Sequence, residues 1–322
     1  MTVHAPVEPR PASRRRNWLR IFVIGLVLWV LSAVVIYVTG NPNLIPTLVL
    51  LGSFLVPVTF VSWAFERRDS GEITAELVFR TFLVGGVLGV LGASVLEAYL
   101  LHPSPWLYLE VGVIEEAVKL AALALLTRRL AVKSMRDGMV LGGTVGFGFA
   151  AFESAGYALT ALFTPQGLSL DNLVTTELLR SLLTPVGHGL WTAILGGILF
   201  SRSSRTHFVL TGRLIAAFVG VSILHALWDM MPNIAALITL LLTGQAWQYE
   251  LLLHGWLVAP TDAQVRLYTV LSWGGLAVIG VIGLLWLYAL VRLSRQDRAP
   301  ASPRLAYRWP TMRSLSSLGQ PR

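Results

Sequence analysis

Apolar runs of about 20 residues recur from one end of this chain to the other, and that is the length a helix needs to cross a bilayer. They fall at about 19–39, 44–65, 77–100, 107–127, 138–162, 178–200, 211–231 and 267–291, which makes eight candidate spans. A ninth stretch, Ile234–Leu242, is too short to span alone. Of the 322 residues, 55% are hydrophobic and 13% charged, about half the charge of an ordinary soluble domain. So little charge cannot wet the surface of a soluble globule. A soluble enzyme, a disordered chain and a nucleic-acid binder are excluded on that ground. The expected fold is all-α: a polytopic membrane helical bundle of about eight transmembrane helices, with room for a re-entrant segment.

The net charge of +8 informs through its placement. With the N-terminus in the cytoplasm, 21 of the 25 Lys and Arg residues fall on the inner side. Only Arg180 and Arg266 fall outside, and Arg80 and Lys119 lie within spans. This is the positive-inside bias. A ninth full span would put the Arg-rich tail outside, against it. The expectation is a multi-pass protein of the cytoplasmic membrane with both termini cytoplasmic. Residues 1–18 form a basic head, 19–291 one transmembrane domain, and 292–322 a basic tail expected to be disordered. The segment Pro232–Arg266 contains Gln245, Gln248, Glu250, His254 and Pro260. It reads as an outer loop with a re-entrant or interfacial piece. Cysteine is absent, so no disulfide, thiolate nucleophile or Cys-ligated metal exists. Most of the 29 glycines lie inside apolar runs, where they permit close helix approach.

An ionisable residue at membrane depth is costly and needs a reason. Four consecutive spans carry such residues: Glu115, Glu116 and Lys119 in the fourth, Glu153 in the fifth, His188 in the sixth, His225 and Asp229 in the seventh. Glu115 and Lys119 are four apart and share a helix face. His225 and Asp229 share a face in the same way, a spacing that can present two ligands to one metal. Glu116 sits roughly 100° around from Glu115 and is expected to point elsewhere. Glu115, Glu153, His188 and His225 each lie about seven to ten residues from the outer end of their span, roughly 10–15 Å deep. One level for four groups on helices of alternating direction points to a single polar cavity opening outward. Glu97, Glu110 and Glu177, nearer the outer ends, are expected to snorkel to water. Tyr157, Trp191 and Trp228 are expected to pack or to anchor at the interface.

Neutral His nitrogen and carboxylate oxygen are the ligands zinc takes when Cys is missing. Three protein ligands plus a water make a hydrolytic site. His188, His225 and either Glu153 or Asp229 supply three. Glu115 or Glu116 supplies a general base, and the other pairs with Lys119. Without a metal, a Glu base with His donors to the oxyanion remains able to hydrolyse an amide. The chain has neither His-Glu-x-x-His nor Gly-x-Ser-x-Gly, the signatures of other hydrolases.

The motifs Glu115-Glu116-x-x-Lys119, Phe152-Glu153-x-x-x-Tyr157, the isolated His188 and His225-x-x-Trp228-Asp229 resemble the PrsW family of intramembrane metalloproteases. The Asp137-Gly-x-x-x-Gly lead into Glu153 is similar as well. The resemblance covers about residues 75–232. That family is similar to type II CAAX prenyl proteases and to an APH-type subunit of gamma-secretase. It implies a divalent metal cofactor, with zinc the expected identity. It also implies cleavage of a membrane-anchored protein, typically a single-pass anti-sigma factor, near the extracytoplasmic side. The partners expected are that substrate and the lipid bilayer, with no nucleic acid; no oligomeric state follows. Two other classes fit the same residues: a proton-coupled transporter using them as a relay, and a non-catalytic membrane scaffold.

Overall fold

The computed structural model describes residues 16–68, 72–131, 133–204, 206–256 and 258–296. Most of the expected basic head, and the tail from 297 onward, lie outside the described residues. The rest is helical: α1 (Asn17–Thr39), α2 (Ile45–Phe65), α3 (Ala75–Leu100), α4 (Leu107–Thr127), α5 (Met135–Leu162), α6 (Leu170–Leu183), α7 (His188–Ser201), α8 (Gly212–Thr243), α9 (Ala246–Leu253) and α10 (Asp262–Gln296). Phe163–Thr164 and Gly167–Leu168 form a two-residue antiparallel ribbon between α5 and α6. Seven helical stretches are long and apolar enough to cross a membrane, α6 and α7 together counting as one. The eighth helix of spanning length, α4, has 21 residues and fails only on charge, since it carries Glu110, Glu115, Glu116 and Lys119. The chain is thus an all-α, multi-pass membrane bundle.

Local chemistry explains the helix starts. Thr74, Ser134, Ser169 and Thr211 each accept a hydrogen bond from the backbone N–H three residues on, at 3.0–3.3 Å. That satisfies donors a helix N-terminus otherwise leaves open. α1 ends at Gly40, whose φ of 65° is the left-handed conformation that favours glycine. α1 is apolar throughout yet buries only Ile36 among its described residues, as befits a helix whose other faces meet lipid.

The core centres on α7. Every residue from Gly189 to Phe200 is buried, with α5, α8, α10 and α4 around it. Its closest partner is α5, and glycine makes the approach possible. A Cβ on Gly138, Gly142 or Gly146 would collide with the carbonyl oxygen of Gly196, Thr192 or His188 respectively. The three glycines are four residues apart, so they form one stripe on which the α7 backbone rests.

Two elements of the fold depart from the sequence reading. The sixth span, expected to be continuous over 178–200, is broken: a 3₁₀ turn at Thr184–Val186 and Gly187, at φ −103° and ψ −133°, separate α6 from α7. Pro185 lacks a backbone N–H, so the ladder loses a bond there, and the backbone leaves helical geometry at Gly187. The segment 234–242 is neither loop nor re-entrant piece but the last part of α8, which runs through Pro232. Asn233 Nδ2 donates to Tyr108 Oη at 2.8 Å, in the first turn of α4. The ten residues beyond Asn233 therefore carry α8 roughly 15 Å past the start of α4. The tip is clasped by a reciprocal amide pair, Gln248 with Gln264, at 2.9 and 3.1 Å. Both side chains are buried and each amide both donates and accepts, which holds α9 against the start of α10.

Candidate metal and active site

Close backbone approach brings the charged residues together. Gly112 lets α4 lie against α8 beside the Ser222 carbonyl. Gly146 of α5 receives the His188 carbonyl. Around this junction α4 contributes Glu115, Glu116 and Lys119, α5 Glu153, α7 His188 as its first residue, and α8 His225 and Asp229. All seven belong to one connected cluster.

Lys119 is fully buried, and its ammonium has an acceptor for each of three N–H donors. These are Glu116 Oε1 at 2.7 Å, His188 Nδ1 at 2.9 Å and Glu115 Oε2 at 3.3 Å. The Phe149 ring lies beneath it, 4.3 Å from Nζ to the centroid. Glu116 does not point away from this site. Its Oε1 also lies 3.0 Å from His225 Nδ1. The helical wheel separates the two Cβ directions by 100°, but side chains of this length converge on one ammonium placed between them.

Partners surround each imidazole on both sides. His225 Nδ1 lies 3.0 Å from Glu116 Oε1, while Nε2 faces Asp229 Oδ2 at 3.3 Å and Glu115 Oε2 at 3.6 Å, so a metal held at Nε2 requires the proton on Nδ1, donated to Glu116. His188 Nε2–H donates to Glu153 Oε2 at 3.1 Å, which leaves Nδ1 facing Lys119 and, at 3.7 Å, Glu115 Oε2. The ring centroids of the two imidazoles are 5.0 Å apart. Trp191 lies against His225, with centroids 4.7 Å apart.

Glu115 Oε2 and one ring nitrogen each of His188 and His225 lie within 4.8 Å of one another. Ligands of a tetrahedral zinc at 2.0–2.1 Å stand about 3.3 Å apart. The distances of 3.6 and 3.7 Å from Glu115 are close to that edge. Each imidazole also donates its other N–H to a carboxylate from another helix, the arrangement that orients metal-ligating His. The donor set and its outer partners fit a metal once the Lys119 ammonium gives up its contact with His188 Nδ1, whose one lone pair serves either the ammonium or the ion. Of the carboxylates the sequence offered as third ligand, Glu153 lies on the far side of the His188 ring, and Asp229 stands beside His225 Nε2.

Two further residues belong to the site. Arg180 of α6 pairs closely with Glu153 Oε2 and donates from Nε to Ser154 Oγ at 2.8 Å. Its guanidinium covers Tyr157 at 4.2 Å. The sequence marked Arg180 only as one of two basic residues on the outer side, and that rarity was the available signal. Glu97 of α3 does not simply snorkel. Its Oε1 is buried and makes no hydrogen bond among the described residues. Glu153, Arg180 and Asp229 keep 20, 27 and 31% of their side chains exposed, so they form the accessible edge of the cluster.

No curated protein and no solved structure matches the chain. The family model described as PrsW family intramembrane metalloprotease matches residues 74–259. That is more than half of the sequence, and it contains every residue of the cluster while leaving α1, α2 and α10 outside. The chain belongs to the PrsW family of intramembrane metalloproteases.

Proposed function

We propose that this protein hydrolyses a peptide bond of a membrane-anchored protein near the extracytoplasmic side, with zinc held by Glu115, His188 and His225. The observation that carries the reading is the convergence of three ligand atoms from α4, α7 and α8, with each imidazole backed by a carboxylate. Zinc, when bound, lowers the pKa of water to about 7 and polarises a carbonyl. Glu116 holds His225, and Glu153 holds His188. Lys119 offsets the negative charge of Glu115 and Glu116. With Glu115 among the ligands, and with Glu116 buried and engaged by Lys119 and His225, the proton acceptor is Asp229. Its carboxylate is part-exposed at the edge of the cluster, beside His225 Nε2. A single-pass anti-sigma factor is the substrate class the family resemblance favours. The basic residues favour both termini in the cytoplasm of the cytoplasmic membrane.

The broken α6–α7 span is also what a transporter would use to line a substrate site. Proton-driven uptake in liposomes separates that reading from hydrolysis. The decisive experiment is metal analysis and cleavage of a single-span reporter by purified protein. One equivalent of zinc is expected, lost in His188→Ala and His225→Ala, with cleavage lost in both and in Glu115→Ala. Undiminished cleavage by all three variants overturns the proposal.

A further inference from the structure

Arg180 has no place in the reading above, yet its contacts are concentrated on one turn of α5: Glu153, Ser154 and Tyr157. The oxygen it meets on Glu153 is Oε2, the same atom that accepts from His188 Nε2. Arg180 and His188 lie eight residues apart in the chain, on opposite sides of the break at 184–187. One carboxylate oxygen therefore joins the two halves of the broken span. A carboxylate with a fifth of its side chain exposed would otherwise be free to turn toward water. The guanidinium restrains that freedom: one N–H group meets Glu153 Oε2, and Nε–H fixes the guanidinium itself on Ser154 Oγ.

The helix carrying Arg180 is itself held from behind. Glu177, one turn earlier, does not snorkel to water as its position in the sequence suggests: it is almost wholly buried, and its Oε2 accepts from Trp29 Nε1 of α1 at 2.8 Å. It fills a recess of α2 that any side chain at position 52 would close, because a Cβ on Gly52 would overlap the Glu177 carboxyl group. Tyr37 donates to Asp171 at 2.6 Å near the start of α6. Arg180 is thus presented from a fixed helix.

We propose that Arg180 is a positioning residue: it fixes Glu153, and through Glu153 the ring orientation of His188. This rests on the reading of His188 as a metal ligand. Losing the outer partner of a ligating His typically costs about 10–100-fold in metal affinity, and Arg180 acts on such a partner.

The test is Co²⁺ titration of the full-length protein in detergent, followed by the visible bands of the bound ion. Glu153→Gln and Arg180→Gln are each expected to weaken binding about tenfold or more and to shift the bands. Arg180→Lys, which keeps a cation for Glu153, is expected to recover part of the loss. The double variant is expected to be no weaker than Glu153→Gln alone, because Arg180 acts through Glu153. Wild-type affinity and bands in Arg180→Gln, or losses that add in the double variant, overturn the proposal while His188→Ala still abolishes binding. Unchanged binding in His188→Ala overturns the metal reading itself, and this proposal with it.

Discussion

Replacing Lys119 with methionine is expected to cost about 3–5 kcal/mol of stability, the range for removing one partner of a buried ion pair. The magnitude follows from what the ammonium leaves behind. Methionine keeps most of the stem, so packing against Phe149 changes little. Glu115 Oε2 would keep as nearest partners only His225 Nε2 at 3.6 Å and His188 Nδ1 at 3.7 Å, both beyond hydrogen-bond distance. Glu116 would keep His225 Nδ1 at 3.0 Å through Oε1, while its Oε2 is buried and already unpartnered among the described residues. Two adjacent buried carboxylates would be left without the cation between them. The measurement is unfolding of chelator-treated protein in detergent, where a drop on the order of 10 °C is expected. Adding Glu116→Gln to Lys119→Met removes one of the two carboxylate charges and is expected to restore part of the loss. A single variant within about 1 kcal/mol of wild type, a difference ordinary for many substitutions, would refute the reasoning. So would a double variant as unstable as the single.

The α5–α7 seam makes a second prediction. Gly142→Ala sets a Cβ against the Thr192 carbonyl and only 3.1 Å from Gly196 Cα, backbone that cannot swing aside, so a loss of about 1–3 kcal/mol is expected. Gly274→Ala, with open space around it, is expected to be neutral or to stabilise by up to about 1 kcal/mol; thermal unfolding of the two compares them. Orientation is checked by thiol labelling, made simple by the absence of native cysteine. A cysteine at Ser104, between α3 and α4, is expected to react with an impermeant reagent from outside intact cells. One at Ser204, between α7 and α8, is expected to react only after the membrane is opened, and the reverse pattern would invert the topology.

The spans were legible because a bilayer demands long apolar runs, and α1–α5 begin and end within about three residues of those runs. The charged residues were legible because each is costly at that depth. The break at 184–187 was not, since Thr184-Pro185-Val186-Gly187 carries no charge and so does not end the apolar run while interrupting the helix. Pro232 misled in the opposite sense. It reads as a stop, but α8 continues through it, as membrane helices do where neighbouring groups compensate. The convergence of Glu115 and Glu116 escaped a helical wheel, which compares Cβ directions and not the reach of side chains. Arg180 escaped because Glu153 is 27 residues away on another helix, and only packing joins them.

The burial of α7 has a consequence for supply. Below His188 lie Gly189–Phe200, twelve consecutive buried residues and about 18 Å of helix, none of them charged or titratable. The glycine stripe of α5 seals one side of that column. Water spent in hydrolysis, and protons exchanged with it, have no route along this column. On the proposed reading they would enter and leave past Glu153, Arg180 and Asp229, the part-exposed side chains of the site. A site fed from one face can hydrolyse a bond inside the bilayer without opening a leak that would discharge the membrane's ion gradient.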